Sequence, residues 1–350
     1  MKVLFLTQTT ELGPSSRYRV YQLVPHLQKL GIECEISPAI DSETYQHLYL
    51  DSGGRGSRRA VTRTIWRRRQ ADLQRVDKFD VVFVQKGAFP GLYSGFERQI
   101  ASRKPLVLDL DDAIWLPREG GARLLRVLHR ERAVQDVLRC AAAVTAGNAF
   151  LAEYASRFNR HVTLVPSTVD LSRYPTTSPV PHSTPPVVGW IGSRTTLAYL
   201  KPLKPVFQNL GVTPRVIASG NPSRLGFAVE FRPWRLETEI VELLQIGIGI
   251  APLHDTPWER GKCGVKILQY MACGLPVVAS PIGVNAQIVI HGVSGFLVRD
   301  IGEWQEALAR LIANPNLRQD LGAAGHETVQ KRFSVQVAVE KIASVLRGLA

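Results

Sequence analysis

Glycines and lysines crowd the stretch Gly261 to Lys266 in a pattern that suits an anion. Gly261, Lys262, Cys263 and Gly264 precede an apolar run, Val265 to Cys273, whose spacing predicts a helix. The first turn of such a helix offers unpaired amide donors and the positive end of the backbone dipole, and Lys262 and Lys266 add full charges there. A diphosphate is the ligand this favours; the alternative is a tight loop with solvated lysines. A second loop, LGPSSRYR, follows the first apolar run and opens a helical pattern. Its amides at Gly13, Ser15 and Ser16, with Arg17 or Arg19, suit a substrate phosphate; otherwise Ser15 or Ser16 is an N-cap and the arginines lie in solvent. Asp109, Asp111 and Asp112 end a third apolar run, PLVLDLD. Carboxylates clustered at the end of a central strand can share raised pKa values and act on a substrate hydroxyl, or they can cap the next helix. Asp111 and Asp112 are the catalytic candidates.

Such groups need a scaffold, and the rest of the chain describes one. Buried-strand runs recur with helical patterns between them: KVLFLTQ, DVVFVQK, PLVLDLD, AAAVTAG and HVTLVP. This alternation predicts a parallel sheet covered on both faces. The first crossover helix is SRYRVYQLVPHLQKLG, with Gly31 as its stop. YPTTSPVPHSTPP, with five prolines, reads as a linker over 175–186. A second series starts at VVGWIG, with a helix from about Ala198 to Leu210, the strands TPRVIAS and IGIGIAPL, a helix at Val265 to Cys273, the strand PVVAS and a short strand near Gly295 to Val298. EWQEALARLIAN and the final SVQVAVEKIASVLRGLA are amphipathic. At 350 residues the chain fits two domains. The expected organisation is an α/β chain with an N-terminal Rossmann-like domain over 1–174, a C-terminal one over 187–333, and a last helix over 334–350 that packs back on the N-domain.

Net charge is +13, much of it from Gly53 to Arg69, which holds seven arginines and no acid. One reading is a solvated helix face. The other is an interfacial helix in which Arg58, Arg59, Arg63, Arg67, Arg68 and Arg69, with Ile65 and Trp66, dock on anionic lipid headgroups. No nucleic-acid-binding motif accompanies the charge, so nucleic acid is not an expected partner. Four cysteines without paired spacing indicate neither a disulfide framework nor a metal site. The N-terminus lacks a signal-peptide pattern and no apolar stretch reaches membrane-spanning length, which gives a cytoplasmic expectation.

The stretch Arg260 to Val298 resembles the donor-binding region of family 4 of the glycosyltransferases, retaining enzymes of GT-B fold. MACGLPVVAS at Met271 to Ser280 matches almost letter for letter, followed by Gly283, Ile288, Val289 and HGVSGFLV at His291 to Val298. Weaker similarity covers GPSSRYRVYQ, DLDDAIW, VTAGNAFLAEYASRF and VPSTVDLSRYP. The family's paired glutamates fall on Gly261 and Gln269. By the resemblance, Gln269 meets the donor ribose through its amide, and Glu259 is a substitute for the missing first carboxylate. The family's Gly-Arg after the first strand of the C-domain corresponds to Gly192, Ser193 and Arg194, with Arg194 as a phosphate clamp and Lys201 near the place of the following lysine. His254 and Asp255 lie where they would line the sugar pocket.

The resemblance implies two Rossmann-like domains with parallel sheets facing across a cleft, and transfer of a sugar from a nucleotide diphosphate-sugar to a glycan or lipid-linked acceptor. It implies retention of configuration, no metal and no cofactor beyond the donor. The Arg58 to Arg69 run adds an expected peripheral contact at the inner face of the plasma membrane. The alternative is a catalytically silent GT-B protein that binds nucleotide-sugar or glycan as a partner or regulatory subunit.

Overall fold

The computed structural model describes residues 1–50, 58–89, 94–117, 124–175 and 185–350. Most of the expected linker and the start of the basic run lie outside them. Two compact units are present. The first comprises Met1–Ser167, Thr256–Cys263 and Val335–Ala350; the second comprises Thr168–Asp255 and Gly264–Ser334.

The first unit is built on a six-stranded sheet of β1 (Lys2–Thr9), β2 (Glu33–Ile40), β3 (Val81–Gln85), β4 (Leu106–Leu110), β5 (Ala143–Ala146) and β6 (Val162–Leu164). Its order is β2-β1-β3-β4-β5-β6 and every pairing is parallel. Because side chains alternate across a strand, Leu4, Leu6, Val82, Val84, Leu106 and Leu108 feed one core. Val3, Phe5, Val81, Phe83 and Val107 feed the other, which includes Val335, Ala338, Val339, Ile342 and Leu346 of the terminal helix Val335–Arg347. Strand β2 carried no clear signal: ECEISPAI has a proline and is mostly half-exposed on the sheet edge.

The second unit repeats the plan with β7 (Val188–Gly192), β8 (Arg215–Ala218), β9 (Glu230–Pro233), β10 (Ile248–Ala251), β11 (Val277–Ala279) and β12 (Gly295–Leu297), in the order β12-β11-β10-β7-β8-β9, again all parallel. Both units are thus Rossmann-like.

Two expected helices are broken up. The first crossover runs as Pro14–Ser16, a π-helical turn at Arg17–Tyr21 and Val24–Lys29, with Pro25 in its last part. The helix expected at Ala198 to Leu210 is a 3-10 helix at Arg194–Leu203 followed by an α-helix at Lys204–Asn209. Pro202 has no N–H and clashes with the carbonyl four residues back, which disfavours regular α geometry there. Among the described residues, no helix is long and apolar enough to cross a membrane.

Candidate active site

In each sheet, neighbouring strands lead their chains off in opposite directions at one point: between β1 and β3 in the first unit, and between β7 and β10 in the second. The crevice outside the carboxyl ends of such strands is where open α/β sheets bind ligands. The sequence's candidate residues divide between these two places.

At the first place the aspartates take separate roles. Asp109, the last but one residue of β4, is fully buried and accepts from both Nε (3.0 Å) and Nη2 of Arg19, itself 1% exposed. Thr145 donates to the same carboxylate, and Arg19 Nη1 donates to the Val165 carbonyl. Arg19 is therefore a core residue and not a free phosphate ligand. Arg17 is also buried, with Nη1 donating to the Glu11 carbonyl and its guanidinium over the Tyr18 ring, so the expectation of solvent-facing arginines is corrected for both. Neither Ser15 nor Ser16 makes a side-chain cap: Gly13 is the N-cap of Pro14–Ser16, Ser16 precedes the π-helical turn without a cap bond, and a side chain at Gly13 would overlap Thr9. Instead, the Ser15 hydroxyl donates to Asp111, and the Ser16 hydroxyl donates to Gln85 Oε1 at 3.1 Å.

Asp111 and Asp112 share a buried ionic cluster. Lys86 Nζ lies 3.2 Å from Asp111 and donates to Asp112, and Lys262 Nζ reaches Asp112 at 2.9 Å. Burial alone would raise the Asp112 carboxyl, but the Lys262 and Lys86 ammoniums outweigh it and hold it well below the usual range. For Asp111, burial prevails over Lys86, and with Asp112 and Asp109 nearby its carboxyl is pushed up. Adjacent carboxylates are thus driven apart, an arrangement suited to division between proton-holding and anionic roles. Burial disfavours the Lys86 ammonium, yet Asp111 and Asp112 more than compensate and raise its pKa.

Gln85 and Lys86 were missed as site residues, although they end the strand DVVFVQK. Lys86 has φ of 65°, in the left-handed region, and its N–H donates to the Asp109 carbonyl. A non-glycine residue there costs on the order of 1–3 kcal/mol, and such residues cluster at functional sites.

The loop before Gly264 also contributes to the first unit. Asn148 donates to the carbonyls of Arg260 and Lys262. The Cys263 thiol donates to the Asp111 carbonyl and lies in the core, so Cys263 is corrected from a donor ligand to a packing residue. Burial, then Asp111, pushes that thiol up. Gly261 abuts Ala113: a Cβ added there would stand 2.8 Å from the Ala113 nitrogen. Glu259 is buried and accepts from the Thr256 hydroxyl three residues earlier.

At the second place, Gly264 caps the helix Val265–Ala272 in a left-handed conformation, φ 68°, where glycine is favoured. No acidic residue occupies the first turn, and Lys266 is its second residue, with Nζ 4.2 Å from the centre of the Trp190 ring. Gln269, in the same helix, is 4% exposed, and its Nε2 has no hydrogen-bond partner in the protein. Gly192 ends β7, and Ser193 leads into Arg194, which is exposed and whose stem passes over Gly220. Lys201 is exposed on the same 3-10 helix, and His254 packs edge-on against Tyr199.

The basic run forms the helix Arg58–Arg75. Two of its arginines are structural, which corrects the expectation that all of them face lipid. Arg69 is buried and donates to the carbonyls of Thr7, Ser37 and Ala88 and to Asp72, and Arg68 donates to Pro38 and Asp41. Ile65 is buried beside Ala39 and Ile40. Arg59, Thr62, Arg63 and Trp66 share the opposite face and line a surface groove of about 380 Å³, with Arg67 exposed beside them.

Comparison with known proteins shows what these features resemble. A model described as "Glycosyl transferases group 1" matches residues 213–314. A GDP-mannose-dependent monoacylated alpha-(1-6)-phosphatidylinositol monomannoside mannosyltransferase of Corynebacterium glutamicum is 24% identical over 309 residues, 79% of each chain. A trehalose synthase of Pyrococcus horikoshii is 30% identical over 86 residues, 25% of this chain, and that match spans only 21% of the relative. Among solved structures, sucrose-phosphate synthase of Thermosynechococcus elongatus superposes with TM-score 0.74 at 16% identity, covering 99% of this chain and 98% of the other. HepE of Anabaena, in complex with UDP and glucose, gives 0.70 at 18% identity, with 100% of both chains covered. The two parallel Rossmann-like sheets and the solved structures agree on a GT-B fold, and the match over 213–314, which includes the MACGLPVVAS segment, makes this part of the chain similar to the group 1 glycosyltransferases.

Proposed function

We propose that the protein is a hexosyltransferase that takes a sugar from a nucleoside diphosphate-sugar and passes it to a hydroxyl of a glycan or lipid-linked acceptor. The observation that carries this reading is the helix Val265–Ala272, with Gly264 at its cap, Lys266 in its first turn and no acidic residue in that turn. Free amides, the dipole and the ammonium suit a leaving diphosphate without a metal. Gly192, Ser193 and Arg194, at the end of the adjacent strand β7, are assigned to the same donor. HepE's UDP complex supports a uridine nucleotide as the first candidate. Ser15, Ser16, Lys86, Asp111 and Asp112 are assigned to the acceptor.

In the retaining course implied by family 4, the acceptor oxygen bonds to the anomeric carbon on the face from which the diphosphate oxygen departs. The acceptor proton passes to that diphosphate, which leaves as the nucleoside diphosphate. The acceptor is proposed to be presented at the inner face of an anionic membrane. Arg59, Arg63 and Arg67 would each add about 1 kcal/mol of attraction, and Trp66, 52% exposed, would sit at the headgroups. If Arg59→Glu with Arg63→Glu leaves partition onto phosphatidylglycerol vesicles unchanged, that contact is excluded.

A non-catalytic reading has one observation in its favour: Gly261 and Gln269 replace both family glutamates, and Gly261 has no room for a side chain. The experiment that separates the two is calorimetric binding of UDP-, GDP-, ADP- and dTDP-sugars by the wild type, Lys266→Ala and Arg194→Ala, with nucleoside diphosphate release measured on addition of membrane glycolipid; Lys262, paired with Asp112 in the first unit, is not used as a donor probe. Selective binding weakened by both substitutions, with release, supports the transferase; binding without release on any acceptor supports the silent form.

A further inference from the structure

Strands β7 and β10 begin as neighbours and then part. They pair at Val188 with Ile248 and at Gly189 with Gly249, and the pairing stops there. Each continues in the sheet on its other side, β7 with β8 as far as Gly192 and Ala218, and β10 with β11 as far as Ala251 and Ala279. In a parallel ladder alternate residues address the same neighbour. The Ile248 N–H donates to the Val187 carbonyl on the β7 side and the Gly249 N–H to the Pro276 carbonyl on the β11 side, so Ile250 turns back towards β7. The next rung in this register would run from the Ile191 N–H to the Ile250 carbonyl. The Tyr270 hydroxyl occupies that rung, accepting from the Ile191 N–H at 2.9 Å and donating to the Ile250 carbonyl at 3.2 Å. Tyr270 is fully buried, and its ring lies against Gly249, where a Cβ would stand 2.5 Å from a ring carbon. The bare backbone at Gly249 is what admits this wedge.

Resting on the donor reading above, we propose that Tyr270 is a positioning residue for the donor nucleotide, its hydroxyl holding β7 and β10 apart where the donor crevice opens. Two hydrogen bonds in series stand where one rung would be, and open α/β sheets take ligands at the point where their central strands diverge. Gly192 and Ser193 leave the sheet from the β7 side of the split. Tyr270 itself belongs to the helix Val265–Ala272, which begins at Gly264 and includes Gln269, so one hydroxyl fixes that helix against both strands. The group must give one proton and take another, which a phenol can do and an apolar side chain cannot. Without it, the Ile191 N–H and the Ile250 carbonyl are left as buried unmatched groups or close on each other and narrow the split. Burial raises the pKa of the phenol, so the proton on which the Ile250 bond depends stays in place.

The test is Tyr270→Phe, which keeps the ring and deletes the hydroxyl, with UDP binding measured by titration calorimetry on the full chain at a temperature where the variant is folded. Affinity is expected to fall about tenfold, the scale of one well-placed hydrogen bond. Leu308→Ala, a truncation in the second unit's core outside the helix and strands concerned, should lower Tm and leave UDP affinity unchanged. Wild-type affinity in Tyr270→Phe, or an equal loss in Leu308→Ala, would reduce Tyr270 to a packing role and overturn the proposal. If Tyr270→Phe does not fold, hydrogen exchange on the wild type takes its place. Coupling is reciprocal, so UDP should slow exchange of the Ile191 amide about tenfold more than that of Ile217 in β8, and equal slowing overturns the proposal. GDP, ADP or dTDP replaces UDP if the wild type binds one of these instead. Failure of the wild type to bind any of the four would overturn the donor reading and this inference together; binding that is indifferent to Tyr270→Phe overturns only this one.

Discussion

The carboxyl ends of the two sheets solve opposite electrostatic problems. In the first unit three buried aspartates meet three cations: Asp109 with Arg19, and Asp111 and Asp112 with Lys86 and Lys262. In the second unit Lys266 sits at a positive helix end with no acid in the turn, supported by an aromatic ring. A balanced cluster is a fixed scaffold, rigid because removing either partner strands the other. A helix N-terminus with no acid in its first turn suits an anion from outside. The comparison teaches that charge content alone does not say what a place can take: a balanced cluster suits a neutral hydroxyl, and a helix end with no acid in its first turn suits an anion.

The largest effect is expected from breaking the balanced side. Asp109→Ala leaves the Arg19 guanidinium buried without its carboxylate, and urea unfolding should show a loss of about 3–5 kcal/mol. A loss below about 1 kcal/mol would mean that Arg19 finds another partner and that the cluster is not a scaffold.

Acid should break the same cluster in a defined direction. The Asp112 carboxyl is held low in the folded protein, so its contribution is complete above the unfolded carboxylate value of about 3.9 and is lost as pH falls through the lower folded value. Asp111 is raised, so it opposes this: its protonation on acidification favours the fold. Asp112→Asn should therefore lower stability at neutral pH by on the order of 2 kcal/mol and flatten the acid limb of the Tm–pH curve, whereas Asp111→Asn should leave that limb in place. Equal slopes in the wild type and Asp112→Asn would contradict the assignment.

The smallest effect on stability sharpens the open side. Gln269 Nε2 is an unmatched buried donor, and exchange for an apolar residue of similar shape is close to neutral or slightly stabilising. Gln269→Leu should keep Tm within about 2 °C of the wild type while weakening UDP binding about tenfold, the value of one good hydrogen bond to ligand. A stable variant with unchanged UDP affinity would remove Gln269 from the donor site.

Much of the fold was legible because buried parallel strands are near-continuous apolar runs, and ten of them stand out by that sign alone or by their place between helices. Strand β2 escaped because a sheet edge tolerates Pro38 and half-exposed polar residues. The helix-to-loop junction at Gly264 was legible from glycine and lysine spacing. The burial of Arg17, Arg19 and Arg69 was not, since a sequence does not show which guanidinium will find carbonyls and carboxylates inside. Lys86 and Trp190 were hidden for a related reason: each looks like an ordinary strand residue until its neighbours from distant segments are known.

The terminal helix Val335–Arg347 has a temporal consequence. Its apolar residues complete one face of the first unit's core, alongside Val3, Phe5 and Val81. During synthesis, domains ordinarily fold in the order in which they emerge. Here the opening strands leave the ribosome with one face of their sheet covered only in part, by Val20, Leu23, Val24 and Leu27 of the first crossover, and keep it so while the second unit is made. The unit begun first is finished last, and until then the open part of that face is a surface for a chaperone to shield.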